Sequence, residues 1–231
     1  MTKPYLGIDA AESEGESEDL YACAHVLYIA CGGHAGSPVL MEKAISFCTR
    51  LGIGIGAHPS YPDREGFGRR SLSIPLEALA DSVAAQCQAL NHVAKRFGAS
   101  ITHFKLHGAL YHDANQNERI AQAVLGAALE VLGSLIIVGP QGGALRAFAE
   151  RHGLPFHPEG FADRRYRPDG SLLPRTEPGA LISNPEEALS QVKGLIAKGY
   201  LAIGLHSDSP NALAIGQRIR KMLEESCQAP P

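Results

Sequence analysis

The chain has little of what marks several large protein classes. Its 231 residues include five cysteines, Cys23, Cys31, Cys48, Cys87 and Cys227. They are odd in number, scattered, and form no C-x-x-C pair, which argues against a disulfide framework and reads as free thiols in a reducing cytoplasm. No uninterrupted apolar run approaches the length of a membrane span, and the opening MTKPYLGIDAAESEGESEDL lacks the apolar core of a signal peptide. No Lys/Arg-rich block occurs, and a formal net charge of −3 offers no electrostatic footprint for nucleic acid. There is also no P-loop lysine motif, no G-x-S-x-G elbow and no H-E-x-x-H. GIGIGA (52–57) formally matches a dinucleotide-binding pattern, but its glycines lie inside a strand-like run and lead into His58-Pro59 instead of a helix. Small residues packing in a barrel strand are the better reading.

What is present is a soluble composition, 45% hydrophobic and 19% charged, with enough apolar mass for a real core. Strand-like runs alternate with helical periods throughout, and no linker interrupts them, so residues 1–231 read as one domain. Strands are expected at 4–9, 25–31, 52–57, 101–106, 134–138, near 154–159 and at 200–205. The acidic stretch Glu12 to Asp19 reads as a solvated loop. Ser37-Pro38 starts a helix whose Leu40, Ala44, Phe47 and Leu51 share a face. Pro75 opens a long helix with the stripe Leu76, Leu79, Val83, Cys87, Leu90, Ala94 and Phe97. Further helices are expected at about 117–132, 142–152 and 185–198, and after Ser209-Pro210, where Ser209 reads as an N-cap. About seven βα units argue for a parallel sheet; their number suggests a closed or nearly closed barrel over an open doubly wound sheet, which periodicity alone does not separate.

Four of the apolar runs end on a histidine: HVLYIACGGHAG reaches His34, IGIGAHP reaches His58, ITHFKLHG reaches His107 and LAIGLHSDSP reaches His206. A buried strand gains nothing from a histidine at its tip, so four such tips point to one polar site at the carboxyl ends of the strands. Asp9 ends the first strand and suits either general acid–base chemistry or a divalent metal; Glu12 follows where the acidic loop begins. Lys105 and His107 fall on the same side of an extended strand. The segment GAHPSYPDREGFGRR adds Asp63 and the guanidinium pair Arg69-Arg70, whose forks match carboxylates or phosphates. His206 and Asp208 repeat the pattern on the last strand. In EGFADRRYRPDGSLLPR, Glu159 ends a run, and Asp163, Arg164, Arg165 and Arg175 lie in a long loop that reads as a lid over an anionic ligand. Arg167, Asp169 and His112 read as solvated surface, and Tyr111 suits packing or ligand contact equally.

These blocks together resemble the LamB/YcsF family. The residues that carry the resemblance are GIDAAE (7–12), LYIACGGHAG (27–36), GAHPSYPDREGFGRR (56–70), KLHGALY (105–111), FADRRY (161–166) with LLPR (172–175), and HSDSP (206–210). The resemblance implies a distorted seven-stranded (β/α) barrel similar to the glycoside hydrolase/deacetylase fold. It implies ATP-dependent opening of the 5-oxoproline lactam to glutamate, with ATP as co-substrate and with two partner subunits, B and C. It carries Asp9, His58, Lys105, His107, Glu159 and His206 over as candidate catalytic residues. Glu12, Arg69, Arg70, Asp163, Arg164, Arg175 and Asp208 become candidate substrate-binding residues. A divalent metal on Asp9, His34 and His58, serving ATP-independent amide or ester hydrolysis, is the second hypothesis. A non-catalytic binding subunit is the third, and self-association into a homo-oligomer stays open. The chain departs from the family's pattern at Gly7-Ile8, Ala11, Tyr28, Leu106 and Ser207, positions clustered around the first and last strand ends.

Overall fold

In a computed structural model, residues 2–228 are described, and the Cys227 side chain lies outside the described part. Seven strands run in chain order: β1 (Tyr5–Ala10), β2 (Val26–Ala30), β3 (Gly54–His58), β4 (Ile101–Lys105), β5 (Ile136–Gly139), β6 (Phe156–Phe161) and β7 (Ala202–Leu205). Every neighbouring pair is parallel, and β7 returns to β1 with Leu6 opposite Ile203, so the sheet closes into a barrel. Helices α1 (Glu18–Ala22), α2 (Pro38–Leu51), α3 (Leu76–Arg96), α4 (Gly108–Gln116), α5 (Glu118–Leu132), α6 (Ala144–Arg151), α7 (Pro185–Ala197) and α8 (Ala212–Gln228) lie between and after the strands. Among the described residues no helix is long and apolar enough to cross a membrane.

Side chains alternate across each strand, and the two faces have different fates. Leu6, Ile8, Leu27, Ile29, Ile137, Ile203 and Leu205 belong to the large cluster shared with the helix shell. The opposite parity forms a small separate interior cluster of Tyr5, Val26, Tyr28, Val138 and Ala202. Tyr28 fills the axis because its neighbours have no side chains. A Cβ on Gly7 would stand 2.4 Å from the Tyr28 ring, and one on Gly56 would stand 2.5 Å from it. Of the glycines of GIGIGA, Gly54 and Gly56 therefore serve packing, whereas Gly52 lies before β3 as the left-handed C-cap of α2.

The helix starts follow local chemistry. Ser37 Oγ accepts from Leu40 N with Pro38 in the first turn, and Asn117 and Asn184 cap α5 and α7 in the same way. The α3 stripe is buried from Leu79 to Ala94, with Leu76 and the C-cap Phe97 half-buried at its ends, and the four described cysteines are buried free thiols. Four local expectations are corrected. Leu51 is 50% exposed, because the buried face of α2 runs through Met41, Ala44, Ile45, Phe47 and Cys48. The acidic stretch is organised, since Glu16 accepts the backbone N–H groups of Ala11, Glu12 and Ser13 and α1 follows. Helix α4 was not foreseen, because KLHGALYH reads locally as a strand end. Ser209 is no N-cap: its hydroxyl donates to Asp163, and α8 begins at Ala212.

Candidate active site at the carboxyl ends of the strands

The inward parity decides which side chains reach the mouth of the barrel. Asp9, His58, Lys105 and Glu159 all sit on inward positions at or near strand ends, and His206 follows directly after β7. Lys105 Nζ donates to Asp9 Oδ1 at 2.7 Å and stands 2.8 Å from Glu159 Oε1, an ion pair off the line of a hydrogen bond. All three side chains are at most 5% exposed. Burial alone would push the ammonium toward neutrality, but Asp9 and Glu159 reverse this and hold its pKa above the ordinary lysine value. Burial likewise acts to raise the Asp9 carboxyl; Lys105 and His58 outweigh it and hold Asp9 well below the usual carboxylate range.

Beside this triad the first three histidine-tipped runs converge. His107 Nδ1 lies 3.0 Å from His58 Nε2 and 3.3 Å from Glu12 Oε1, and His34 Nε2 lies 3.0 Å from the same oxygen. The His34 and His107 rings stack with centroids 3.6 Å apart. Burial drives His34 down to about 2, with His58 adding to the effect, and it drives His107 down as well. Burial raises the Glu12 carboxyl to about 9, assisted by Asp9 and Glu16. One donor atom from each of Glu12, His34, His58 and His107 lies within 4.8 Å of all the others, so this group is able to hold a metal ion. Asp9, placed in the expected ligand set, touches the edge of the group, with Oδ2 3.5 Å from His58 Nε2.

On the far side, His206 Nδ1 donates to Asp163 Oδ2 at 2.9 Å. Asp163 is wholly buried and also receives the His206 N–H and the Ser209 hydroxyl. Burial opposes its charge, but His206 and Ser209 together hold its carboxyl below the ordinary value. Asp163 thus orients His206 and does not reach a ligand, and the imidazole, stacked on Phe161, is left with Nε2 to move a proton. The cavity between these groups has a volume of about 380 Å³, and Asp9, His58, Lys105, His107, Tyr111, Arg69, Arg164, Arg175 and His206 line it.

Charge in the cavity wall is unevenly matched. Arg69 and Arg175 both reach Asp208, at 3.2 and 2.7 Å. Arg164 donates only to the Leu173 carbonyl and has no carboxylate partner, although it is 9% exposed and its Nε is buried without a hydrogen-bond partner in the chain. Burial lowers its pKa, and the nearby Arg175 lowers it further. The Tyr111 hydroxyl, also on this wall, likewise lacks a hydrogen-bond partner in the chain. A wall with an unpaired guanidinium and unpaired polar atoms suits a small ligand with a carboxylate and hydrogen-bonding groups.

Of the catalytic and substrate-binding residues expected from the sequence, Glu12, Arg70, Glu159, Asp163 and Asp208 do not line the cavity; Arg70 is turned away altogether, bound to Asp63 with Nε 3.0 Å from Oδ2. The Arg-bearing loop is held by two antiparallel bridges, Arg164 to Leu181 and Tyr166 to Leu172. His112 is exposed, as expected, although it borders the cavity. Three contributors carried no sequence signal of their own. The Phe67 carbonyl takes the His107 Nε2–H, Gln86 pins both backbone groups of Ser60 behind His58, and Tyr28 places its ring 4.8 Å beneath the Lys105 ammonium. A backbone carbonyl, a helix glutamine and a strand tyrosine look like packing until the chain is folded.

Comparison with known proteins agrees with this architecture. The chain is 38% identical over 222 residues to the 5-oxoprolinase A subunit of Methylococcus capsulatus (strain Bath), covering 90% of this chain and 85% of the relative. The structure of the lactam utilization protein from Thermus thermophilus superposes with a TM-score of 0.88 at 30% identity, covering 98% of both chains. A xylose isomerase domain protein from Planctomyces limnophilus, 14% identical with a TM-score of 0.54 over 97% of this chain and 98% of that one, shares the fold alone. The LamB/YcsF family model matches residues 8–229. With the motifs, the closed barrel and this match in agreement over nearly its whole length, the chain belongs to the LamB/YcsF family.

Proposed function

We propose that this chain is the A subunit of an ATP-dependent 5-oxoprolinase, acting with subunits B and C to hydrolyse the 5-oxoproline lactam to L-glutamate. The observation that carries the reading is the buried, carboxylate-free Arg164 beside the Lys105 triad, in a relative of a protein named for that activity. 5-Oxoproline is a small ring with one carboxylate and one amide. Arg164, aided by Arg69 and Arg175, binds the carboxylate, and Lys105 steadies negative charge that develops on the lactam oxygen. A lactam carbonyl is a poor electrophile. A phosphoryl group from ATP on its oxygen removes the amide resonance, and water then adds to the carbon. The C–N bond breaks with the nitrogen taking a proton, for which His206 is oriented by Asp163. The acyl phosphate left behind is hydrolysed to the second carboxylate and inorganic phosphate.

The test is glutamate formation from 5-oxoproline and ATP by the chain combined with subunits B and C. Glutamate that requires every component is expected. In Arg164→Ala, KM should rise about 10- to 100-fold with kcat less affected, from loss of a charged hydrogen bond worth about 1.5–3 kcal/mol. Full turnover by B and C alone would refute a catalytic part for this chain. The Glu12–histidine group favours a second reading, metal-assisted amide hydrolysis, which turnover without nucleotide would select.

A further inference from the structure

The hydrogen bonds around the histidine cluster determine which ring nitrogens carry protons. His58 Nδ1 is 2.8 Å from the Lys105 carbonyl oxygen, which can only accept, so Nδ1 bears the hydrogen, and Nε2, 3.5 Å from Asp9 Oδ2, is bare whenever the ring is neutral. His107 Nε2 is 3.0 Å from the Phe67 carbonyl oxygen, so its Nδ1 is bare for the same reason. The two bare nitrogens are the ones that face each other at 3.0 Å. Two lone pairs at that distance repel unless something positive lies between them. Glu12 Oε1, itself an acceptor when ionised, points into the same space, 3.3 Å from His107 Nδ1 and 3.0 Å from His34 Nε2. Two bare imidazole nitrogens and the Glu12 oxygen thus converge, with His34 Nε2 on the same oxygen, among side chains that are 1%, 2% and 6% exposed for His58, His34 and His107.

We propose that His34, His58, His107 and Glu12 bind one divalent transition-metal ion of the zinc class. Three imidazoles and a carboxylate are the donor set such ions prefer, and tetrahedral ligand atoms about 2.0–2.1 Å from a metal lie about 3.3 Å apart. Three of the spacings here are 3.0, 3.0 and 3.3 Å, all the donor atoms lie within 4.8 Å of one another, and the stacked His34 and His107 rings would splay to aim both nitrogens at one ion. The carbonyls of Lys105 and Phe67 do what outer partners of metal-bound histidines do: each holds the remote N–H and aims the bare nitrogen inward. Phe67 takes a left-handed backbone conformation, φ 54°, rare for a residue with a side chain. His34 Nδ1 is buried with no partner in the chain, so that ring is held by stacking and by its Nε2 side. His58, His107 and Asp9 border the cavity, so the ion would adjoin the substrate space while Glu12 and His34 hold it from behind. The proposal is independent of which lactam or amide the cavity accepts.

The full chain, stripped with a chelator and dialysed, is titrated with Co2+ and followed by its visible d–d absorption, then with Zn2+ in competition. Saturation at one ion per chain, with bands of a low-coordinate nitrogen-rich site, is the expected result. Glu12→Gln should weaken Zn2+ binding at least tenfold and His58→Ala should abolish the one-to-one site, with circular dichroism checking the fold. His92→Ala, on the surface of α3, should leave binding unchanged. If His58→Ala does not fold, Glu12→Gln decides. Absence of saturable binding in the unaltered chain, or equal binding by it and Glu12→Gln, would overturn the proposal and leave a shared proton between His58 and His107.

Discussion

Lys105→Met tests the electrostatic logic of the barrel mouth directly. The substitution keeps most of the side-chain volume and removes the ammonium that lies 2.7 Å from Asp9 and 2.8 Å from Glu159. Two carboxylates are then buried together without a counter-charge. Breaking a buried ion pair by removing one partner costs about 3–5 kcal/mol. In a protein of this length about 1 kcal/mol moves Tm by roughly 2–4 °C, so a fall of about 6–20 °C is expected at pH 7. The pH dependence carries the diagnosis. In the unaltered chain the depressed Asp9 stabilises above its unfolded pKa, and that contribution is lost as pH falls through the folded value. The elevated Lys105 contributes fully below its unfolded pKa, hence throughout the neutral and acid range. In Lys105→Met the two carboxylates repel, their folded pKa values rise, and protonation relieves the strain. The stability gap between the two proteins should therefore be widest near pH 7 and narrow toward about pH 4. Because the chain has no tryptophan, far-UV circular dichroism in a urea series at the two pH values is the suitable assay. The triple variant Asp9→Asn, Lys105→Met, Glu159→Gln, lacking all three charges, should regain most of the loss. A penalty under about 1 kcal/mol, or one unchanged between pH 7 and pH 4, would refute the account.

Two further outcomes follow from local geometry. Asp163→Asn replaces the acceptor that holds the His206 Nδ1–H with an amide able to donate, favouring the wrong tautomer. Turnover in the reconstituted complex should fall about 10²- to 10⁴-fold in kcat with KM little changed, and a matching rise in KM alone would remove the pair from proton transfer. Gly56→Ala places a methyl group 2.5 Å from the Tyr28 ring and should cost about 1–3 kcal/mol by denaturant unfolding. In a Tyr28→Ala background the same change should cost much less, and an equal cost in both backgrounds would disprove the close approach.

Much of the fold was legible because periodicity is local. Alternating strands and helical stripes identified every strand, and the α3 stripe from Leu79 to Ala94 is buried as its spacing demands. The failures were equally local. Gly108–Gln116 reads as a continuation of the preceding strand because its start has no capping side chain; what turns it is Gly108 packed against the Gly68 carbonyl, which the Ala109 N–H bonds at 2.9 Å. Arg69 and Arg70 are adjacent and chemically identical, yet one reaches the cavity wall and the other is captured by Asp63. Likewise Asp163 and Asp208 both suggested ligand contact, but only burial and partners distinguish the group that orients His206 from the one that pairs with arginines.

The sequence by itself determined that strands alternate with helices and that chemistry gathers at the strand ends, since hydrophobic period and histidine-tipped runs are properties of neighbouring residues. It also placed Lys105 and His107, through strand parity, on one side of their run. Tertiary structure alone decided who meets whom. Closure of β7 on β1 brings positions nearly two hundred residues apart in the chain to one mouth, as where Glu16 and Ser207 meet. It also sets the facing nitrogens of His58 and His107, separated by 49 positions, at 3.0 Å. Such distances depend on the registers and diameter of a closed sheet, which no local segment of the chain contains.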